Sequence, residues 1–282
     1  MAMDERGLGK RLQKARQNAG LTQQQLCSKA NLSFSTLTKI ERGAIKSPSI
    51  FTIQSIASAL DLSLDELIGQ TTTNPNKQYL KTKNGVSFIY FDVNGCLVYF
   101  YQRAFDKIAL KTGAHLETVE SAFWHFNDQV CKGEMSLNDF NKELAKRVGV
   151  NEIRWQDYYL DLAEPIEEVQ RLLIWASEKY KVGLMTNIMP GLLSSMRRDN
   201  KLPNIHYNAV IDSSEIGHIK PEEEIYKIAA HKAECPSNEI LLIDDDRVNL
   251  MAAEKLGWHV LWFDDSRPDI SVEKIKQAIE PA

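Results

Sequence analysis

Four short polar clusters hold residues able to do chemistry together: Asp92-Val93-Asn94-Gly95, Thr186-Asn187, the loop reaching Lys220-Pro221, and Asp244-Asp245-Asp246. Between them they offer a hydroxyl, an ammonium and several carboxylates. Three or more carboxylates in one place repel one another unless cations neutralise them, and an all-oxygen set suits Mg²⁺ with a lysine beside it. Taken singly, an Asp after an apolar run is an ordinary turn former or helix cap.

What favours a shared site is the placement of the clusters. Short apolar runs at 87–91, 181–185, 209–211, 240–243 and 260–263 alternate with longer helical stretches, the pattern of a parallel sheet with crossover helices. Each cluster follows one of these runs, and in an open parallel sheet the carboxyl ends of the strands border one crevice. Between the first two runs lie about 90 residues without a strong strand signal, more than one crossover requires. Leu137, Phe140, Leu144 and Val148 recur there at helical spacing, so residues 103–168 are read as an inserted helical cap.

On these four clusters, residues 86–264 resemble the haloacid dehalogenase superfamily, with the cap placed as in members that insert it after the first motif. Gly133-Glu134-Met135-Ser136 also resembles a cap segment of sugar-phosphate phosphatases and of the phosphatase half of bifunctional epoxide hydrolases. The resemblance implies a Rossmann-like α/β domain at 86–282 in which Asp92 is the phosphoryl-accepting nucleophile. Thr186 and the Asn187 backbone would hold phosphate oxygens, and Lys220 would offset charge on Asp92 and phosphate. Asp245, Asp92 and the Asn94 carbonyl would bind Mg²⁺, with Asp244 orienting the lysine or a metal-bound water. One position departs from the family pattern. Phosphatases of the superfamily usually carry an aspartate two residues after the nucleophile as general acid/base, and here that residue is Asn94. An amide does not exchange a proton at neutral pH, and loss of a general acid/base commonly costs about 10²–10⁴-fold in rate.

The front of the chain reads differently, as five short helices. Leu8, Leu12, Ala15 and Ala19 mark the first, with Gly20 as its stop signal. Thr22 and Gln25 form a capping box for a second that buries Leu26 and Ala30. After a turn at Asn31 and Leu32, Ser33 caps a third with Leu37 and Ile40 inward. Ser47-Pro48 opens a fourth with Ile50, Ile53, Ala57 and Leu60 on one face, and Ser63 with Glu66 caps a fifth. On the third helix Ser35, Thr38, Lys39 and Arg42 fall opposite the core side, while Glu41 lies beside the core and is expected to pair with Arg16.

Gly20-Leu21-Thr22-Gln23, Leu26, Ala30, Leu37 and Ile40-Glu41-Arg42-Gly43 resemble the Cro/phage-repressor (XRE) type of helix-turn-helix over residues 7–69. The resemblance implies an all-α domain at 1–70 that binds double-stranded DNA. Thr22 and Gln23 would lie near backbone phosphate, and Ser33, Phe34, Ser35, Thr38, Lys39 and Arg42 would face the major groove. Phe34 is unusual there, and packing against a neighbour is favoured over contact with a thymine methyl. Modules of this kind read paired half-sites, so a homodimer is expected.

Composition sets the bounds. With 43% hydrophobic and 26% charged residues among 282, the chain is of ordinary globular type and long enough for two domains. Residues 1–70 carry a formal charge of +3 and 71–85 add three lysines, so a basic front joins an acidic body. Residues 71–85 are polar and read as a linker. No apolar run approaches a membrane span, and the charged N-terminus lacks the apolar core of a secretory signal, so a cytoplasmic protein is expected. Cys27, Cys96, Cys131 and Cys235 form no CxxC pair. Trp258, His259 and Trp262 are read as core, the aromatic cluster around His125 as cap packing, and the Glu222–Glu224 run as a charged first helical turn. The expected function is a transcriptional regulator whose second domain senses a phosphorylated small molecule. An active Mg²⁺-dependent phosphatase carrying a DNA-binding module is the alternative.

Overall fold

The computed structural model describes residues 5–19, 21–60, 62, 64, 67 and 78–281. The chain divides into two compact units, Met1–Lys77 and Gln78–Ala282.

In the first unit α1 (Glu5–Asn18), α2 (Gln23–Ala30), α3 (Phe34–Glu41) and α4 (Ile50–Ala59) enclose Leu12, Leu26, Leu37, Ile40, Ile53 and Ile56. Local sequence fixes the boundaries. Thr22 Oγ1 accepts from the Gln25 N–H at 3.2 Å while Gln25 Oε1 accepts from the Thr22 N–H at 2.8 Å, closing the capping box. Asn31, at φ 50°, ends α2 in the left-handed conformation, and Ser33 caps α3. Gly9 permits the close approach of α1 to α3, since a Cβ there would overlap the Ile40 carbonyl oxygen. The start of α4 differs from the sequence reading. Ser49, not Ser47, is the cap, its Oγ accepting from the Thr52 N–H at 3.1 Å, and Pro48 precedes it. The shift turns Ile56 inward and leaves Ile50 exposed. Gly20, the fifth-helix residues Ser63 and Glu66, and linker residues 71–77 lie outside the described residues.

The second unit is built on a fully parallel sheet of order β3-β2-β1-β4-β5. Its elements in chain order are β1 (Phe88–Phe91), α5 (Gln102–Thr112), α6 (Leu116–Cys131), α7 (Leu137–Val148), α8 (Trp155–Leu162), α9 (Glu167–Ser177), β2 (Lys181–Thr186), α10 (Leu192–Arg198), β3 (Ala209–Asp212), α11 (Ser213–Ile216), α12 (Glu223–Ala233), β4 (Ile240–Asp244), α13 (Arg247–Lys255), β5 (His259–Trp262) and α14 (Pro268–Ala278). Period-two alternation along β1 sends Phe88 and Tyr90 into a core with Tyr226, Ala229 and Leu250, and Ile89 and Phe91 into the opposite core with Leu173 and Ile275. Both faces are thus covered, as a parallel sheet requires. Between β1 and α9, helices α5 to α8 form a cap packed around Phe105, Phe123, Phe140 and Trp155.

Residues 78–85, read from sequence as the end of the linker, are held to this unit. The Leu80 N–H donates to the Lys179 carbonyl at 2.8 Å, buried Thr82 bonds Val86, and Lys81 and Lys83 pair with Glu239 and Glu280. A polar composition had hidden these main-chain bonds.

Candidate functional site

The strand order reverses at β1, whose neighbours β2 and β4 come later in the chain from opposite sides, and this is where a crevice opens at the carboxyl ends. Asp92 stands at the floor. Its N–H donates to the Ile243 carbonyl at 2.9 Å, which extends the β1–β4 ladder by one bond and fixes the side chain. Lys220 reaches it from the loop after α11. Asn187 sets that loop, accepting from the Lys220 N–H at 2.7 Å through Oδ1 and donating to the Lys220 carbonyl at 2.8 Å through Nδ2. The Lys220 ammonium then lies 2.9 Å from Asp92 Oδ1 and 2.6 Å from Asp244 Oδ2, with all three side chains buried. Asp244 is fully engaged, since its Oδ1 also accepts from the Asp246 N–H and from Asn249 Nδ2.

Asp245 completes the cluster. One oxygen each of Asp92, Asp244 and Asp245 lie within 4.8 Å of one another. Gly95, at φ +83°, makes this approach available, because a Cβ there would overlap the Asp245 carboxylate. The electrostatics follow from burial. Desolvation pushes the Asp92 and Asp245 carboxyls above the usual range; Lys220 pulls both down and the neighbouring acids push them further up. Burial opposes the Lys220 charge, but Asp244 and Asp92 outweigh it and hold the ammonium well above its ordinary value. Among the described residues of this unit, two buried side-chain oxygens lack an aligned hydrogen-bond partner: Asp92 Oδ1, despite its nearness to the ammonium, and Thr186 Oγ1. Buried polar atoms are normally satisfied, so the unpartnered Asp92 oxygen at the floor of the crevice fits a cation there.

Asn94 does not present a free side chain. Its Oδ1 accepts from the Tyr159 hydroxyl, and its Nδ2 donates to the Tyr101 oxygen at 3.0 Å and to the Asn187 carbonyl at 3.2 Å. Tyr101 lies immediately before α5 and Tyr159 on α8, so the amide ties the loop after β1 to the cap. Sequence reading missed both tyrosines, since no local spacing pairs them with Asn94.

A cavity of about 510 Å³ stands over the cluster, bordered by Asp92, Asn94, Lys220 and Asp245 below and by Phe100, Tyr101, Trp124, Arg247 and Trp262 around it. Trp262 is therefore not core. It is 41% exposed, its Nε1 donates to the Asp245 carbonyl at 2.8 Å, and the Arg247 guanidinium lies 4.1 Å over its ring. Trp258 is buried as expected, whereas His259 is exposed. His125 packs on Phe126 while its neighbour Trp124 faces the cavity. Glu222, the cap residue of α12, does more than open a helix: it pairs with Lys132 at the end of α6 and with His218 at 3.1 Å. At Gly133 a Cβ would lie 2.7 Å from the Ser214 carbonyl oxygen, so the adjoining turn also sits tight against the sheet domain.

In the first unit, Ser35 and Lys39 are exposed on α3, Arg42 is exposed at its C-cap, and Thr22 and Ser33 are exposed N-caps. Phe34 is 51% exposed, so packing against a neighbour does not account for it. Thr38 is only half-exposed and its hydroxyl is buried without a partner. The Arg16–Glu41 pair forms as expected, through Nε at 2.7 Å and Nη2 at 3.1 Å. Gln23 joins it, donating to Glu41 Oε2 at 2.7 Å, so its amide nitrogen braces the fold.

Comparison with known proteins agrees with both units. A helix-turn-helix family profile matches residues 12–67, and a haloacid dehalogenase-like hydrolase profile matches residues 89–263. An immunity repressor protein of Bacillus phage phi105 is 38% identical over 71 residues, which are 25% of this chain and 49% of that protein, so the chain spans about half that relative's length. A protein of Porphyromonas gingivalis described as a predicted HAD-like family hydrolase superposes with a TM-score of 0.57 at 22% identity, over 68% of this chain and 98% of that one. A HAD family enzyme from Bacteroides thetaiotaomicron, solved as a magnesium complex, gives 0.54 at 21% identity, over 63% and 93%. The L-2-haloacid dehalogenase of Xanthobacter autotrophicus gives 0.52 at 15%, over 70% and 85%. At these identities the structural likenesses speak to fold alone. With that fold, and with a profile match running through every strand of the sheet, the chain belongs to the haloacid dehalogenase-like hydrolases and carries an XRE-type helix-turn-helix domain ahead of the catalytic-type fold.

Proposed function

We propose that the protein is a DNA-binding regulator whose second domain binds Mg²⁺ and a phosphorylated small molecule and hydrolyses it slowly or not at all. The observation that carries this reading is Asn94, whose amide is hydrogen-bonded to Tyr159, Tyr101 and the Asn187 carbonyl and has no exchangeable acid proton to give. In this reading a carboxylate oxygen of Asp92 attacks phosphorus, Thr186 Oγ1 and the Asn187 backbone hold phosphate oxygens, and Lys220 balances charge. Asp92 and Asp245, with the Asn94 carbonyl, would hold Mg²⁺, while Asp244 serves by orienting Lys220. The cation would screen the carboxylates from one another and polarise the phosphoryl group. Attack by Asp92 breaks the ester bond and leaves an alkoxide in need of a proton. Asn94 has none to give, and buried Tyr101 and Tyr159 hold theirs tightly, their hydroxyls pushed well above the ordinary range by desolvation.

Asn94→Asp tests the proposal. One carboxylate oxygen would replace Oδ1 as the Tyr159 acceptor, and the other would face the Asn187 carbonyl, an arrangement that favours the protonated, proton-donating form. Turnover of phosphate esters with Mg²⁺ should rise at least about 10-fold. Brisk native turnover that Asn94→Asp fails to raise would support the active phosphatase instead.

For the first unit, exposed Lys39 on α3 and Arg42 at its C-cap carry the proposal that it binds duplex DNA, as a homodimer. Lys39→Ala and Arg42→Ala should each weaken binding, and a lost phosphate contact should lower the slope of log affinity against log salt by about 1. Unaltered affinity and slope in both variants would sink this assignment, and a monomer by light scattering with and without DNA would sink the dimer.

A further inference from the structure

Three large aromatic side chains of the second unit are left exposed, and all of them line one cavity. Phe100 is 38% exposed, Trp124 47% and Trp262 41%, and no other Phe or Trp among the described residues of that unit is comparably open. They come from different parts of the fold. Trp124 belongs to the cap and Phe100 to the segment just before α5, and they stack on each other, with centroids 6.0 Å apart and planes 13° from parallel. Trp262 ends β5 in the sheet domain and is held there by its bond to the Asp245 carbonyl and by Arg247. Leaving so much aromatic surface in water is unfavourable unless a ligand covers it, and indole and phenyl faces suit flat, polarisable rings. Arg247 adds a cation at the same rim, with no carboxylate partner among the described residues, where it can meet acceptor groups on such a ring.

From this juxtaposition we infer that the cavity selects phosphomonoesters whose leaving alcohol carries a planar aromatic ring bearing hydrogen-bond acceptors, with the phosphate at Asp92 and the ring between the Phe100–Trp124 pair and Trp262. The inference rests on the phosphoester reading of the site and adds the substrate class. A nucleotide base and a single-ring aromatic share this chemistry, and ring size separates them.

The test uses the full chain with Mg²⁺ and calorimetric titration of inorganic phosphate and of four phosphonates, which resist hydrolysis: a nucleoside, a single-ring heteroaryl, a hexose and a straight-chain alkyl analogue. At least one of the two ring ligands should bind about 10-fold or more tighter than the alkyl analogue, and which of the two leads identifies the source. Trp124→Ala and Trp262→Ala should each bring that ratio towards one, and Trp262→Phe, which keeps a stacking face but not the Asp245 bond, should restore most of it. Equal affinity for ring and alkyl ligands, a hexose ligand that binds tightest, or a ring preference untouched in both alanine variants would overturn the inference while the phosphoester site stands. Failure of inorganic phosphate and every phosphonate to bind would instead remove the phosphoester reading, and this inference with it.

Discussion

Lys220→Ala should lose about 3–5 kcal/mol of folding stability at neutral pH in EDTA, enough to unfold the second unit in part of the population. The ammonium is the counter-charge to Asp92 and Asp244, both buried, and its removal leaves two carboxylates unpaired. The pH dependence carries a sign. Burial already raises Asp92, and Lys220 is what pulls it back. Without the lysine the folded-state value rises further above the unfolded one, so the folded variant binds more protons. Its stability is then greatest below the unfolded carboxylate value and falls as pH rises through the folded one. Urea unfolding should show recovery from pH 8 to pH 5. All five tryptophans lie in this unit, so their fluorescence reports it. A loss under about 1 kcal/mol, or one that does not shrink at pH 5, would contradict the account.

Arg16→Ala should have a comparable effect on the first unit. Glu41, whose side chain is 2% exposed, would keep only Gln23, and the Leu21 carbonyl would lose its donor. The expected cost is about 3 kcal/mol, a loss of more than 100-fold in hydrogen-exchange protection across α1 to α3. Replacing the pair together, Arg16→Met with Glu41→Leu, should recover most of it, because no buried charge remains. Protection unchanged in Arg16→Ala, or a double variant no better than the single, would show that the pair is not what holds these helices.

The five strands and the helix caps at Thr22 and Ser33 were legible because periodicity and side-chain to backbone bonds are local. The Arg16–Glu41 pair was legible too, since a carboxylate beside a core stripe demands a cation. Asp92, Asp244 and Asp245 converge because parallel strands must align their ends, and Lys220 reaches them from a loop on the same side of the sheet. Less local features were not readable. The choice between Ser47 and Ser49 turned on which serine brings Ile56 inward. Trp262 looks like core from a strand pattern, yet it stands at the open end of that strand. The partners of Asn94 lie on α8 and just before α5, and the ties of residues 78–85 depend on carbonyls far along the chain.

The sheet order also sets a schedule. Phe-Ile-Tyr-Phe of β1 pairs with Lys181 on one side and Ile240 on the other. As the chain is synthesised from its N-terminus at about 5–20 residues per second, this central strand emerges first and waits on the order of ten seconds for its second neighbour. The helix-turn-helix, whose contacts are local, is complete by then, and the cap helices can associate among themselves. A strongly apolar strand with both edges open is an aggregation hazard for that interval. The long cap insertion between β1 and β2 thus lengthens the period in which the nascent chain depends on dilution or a chaperone.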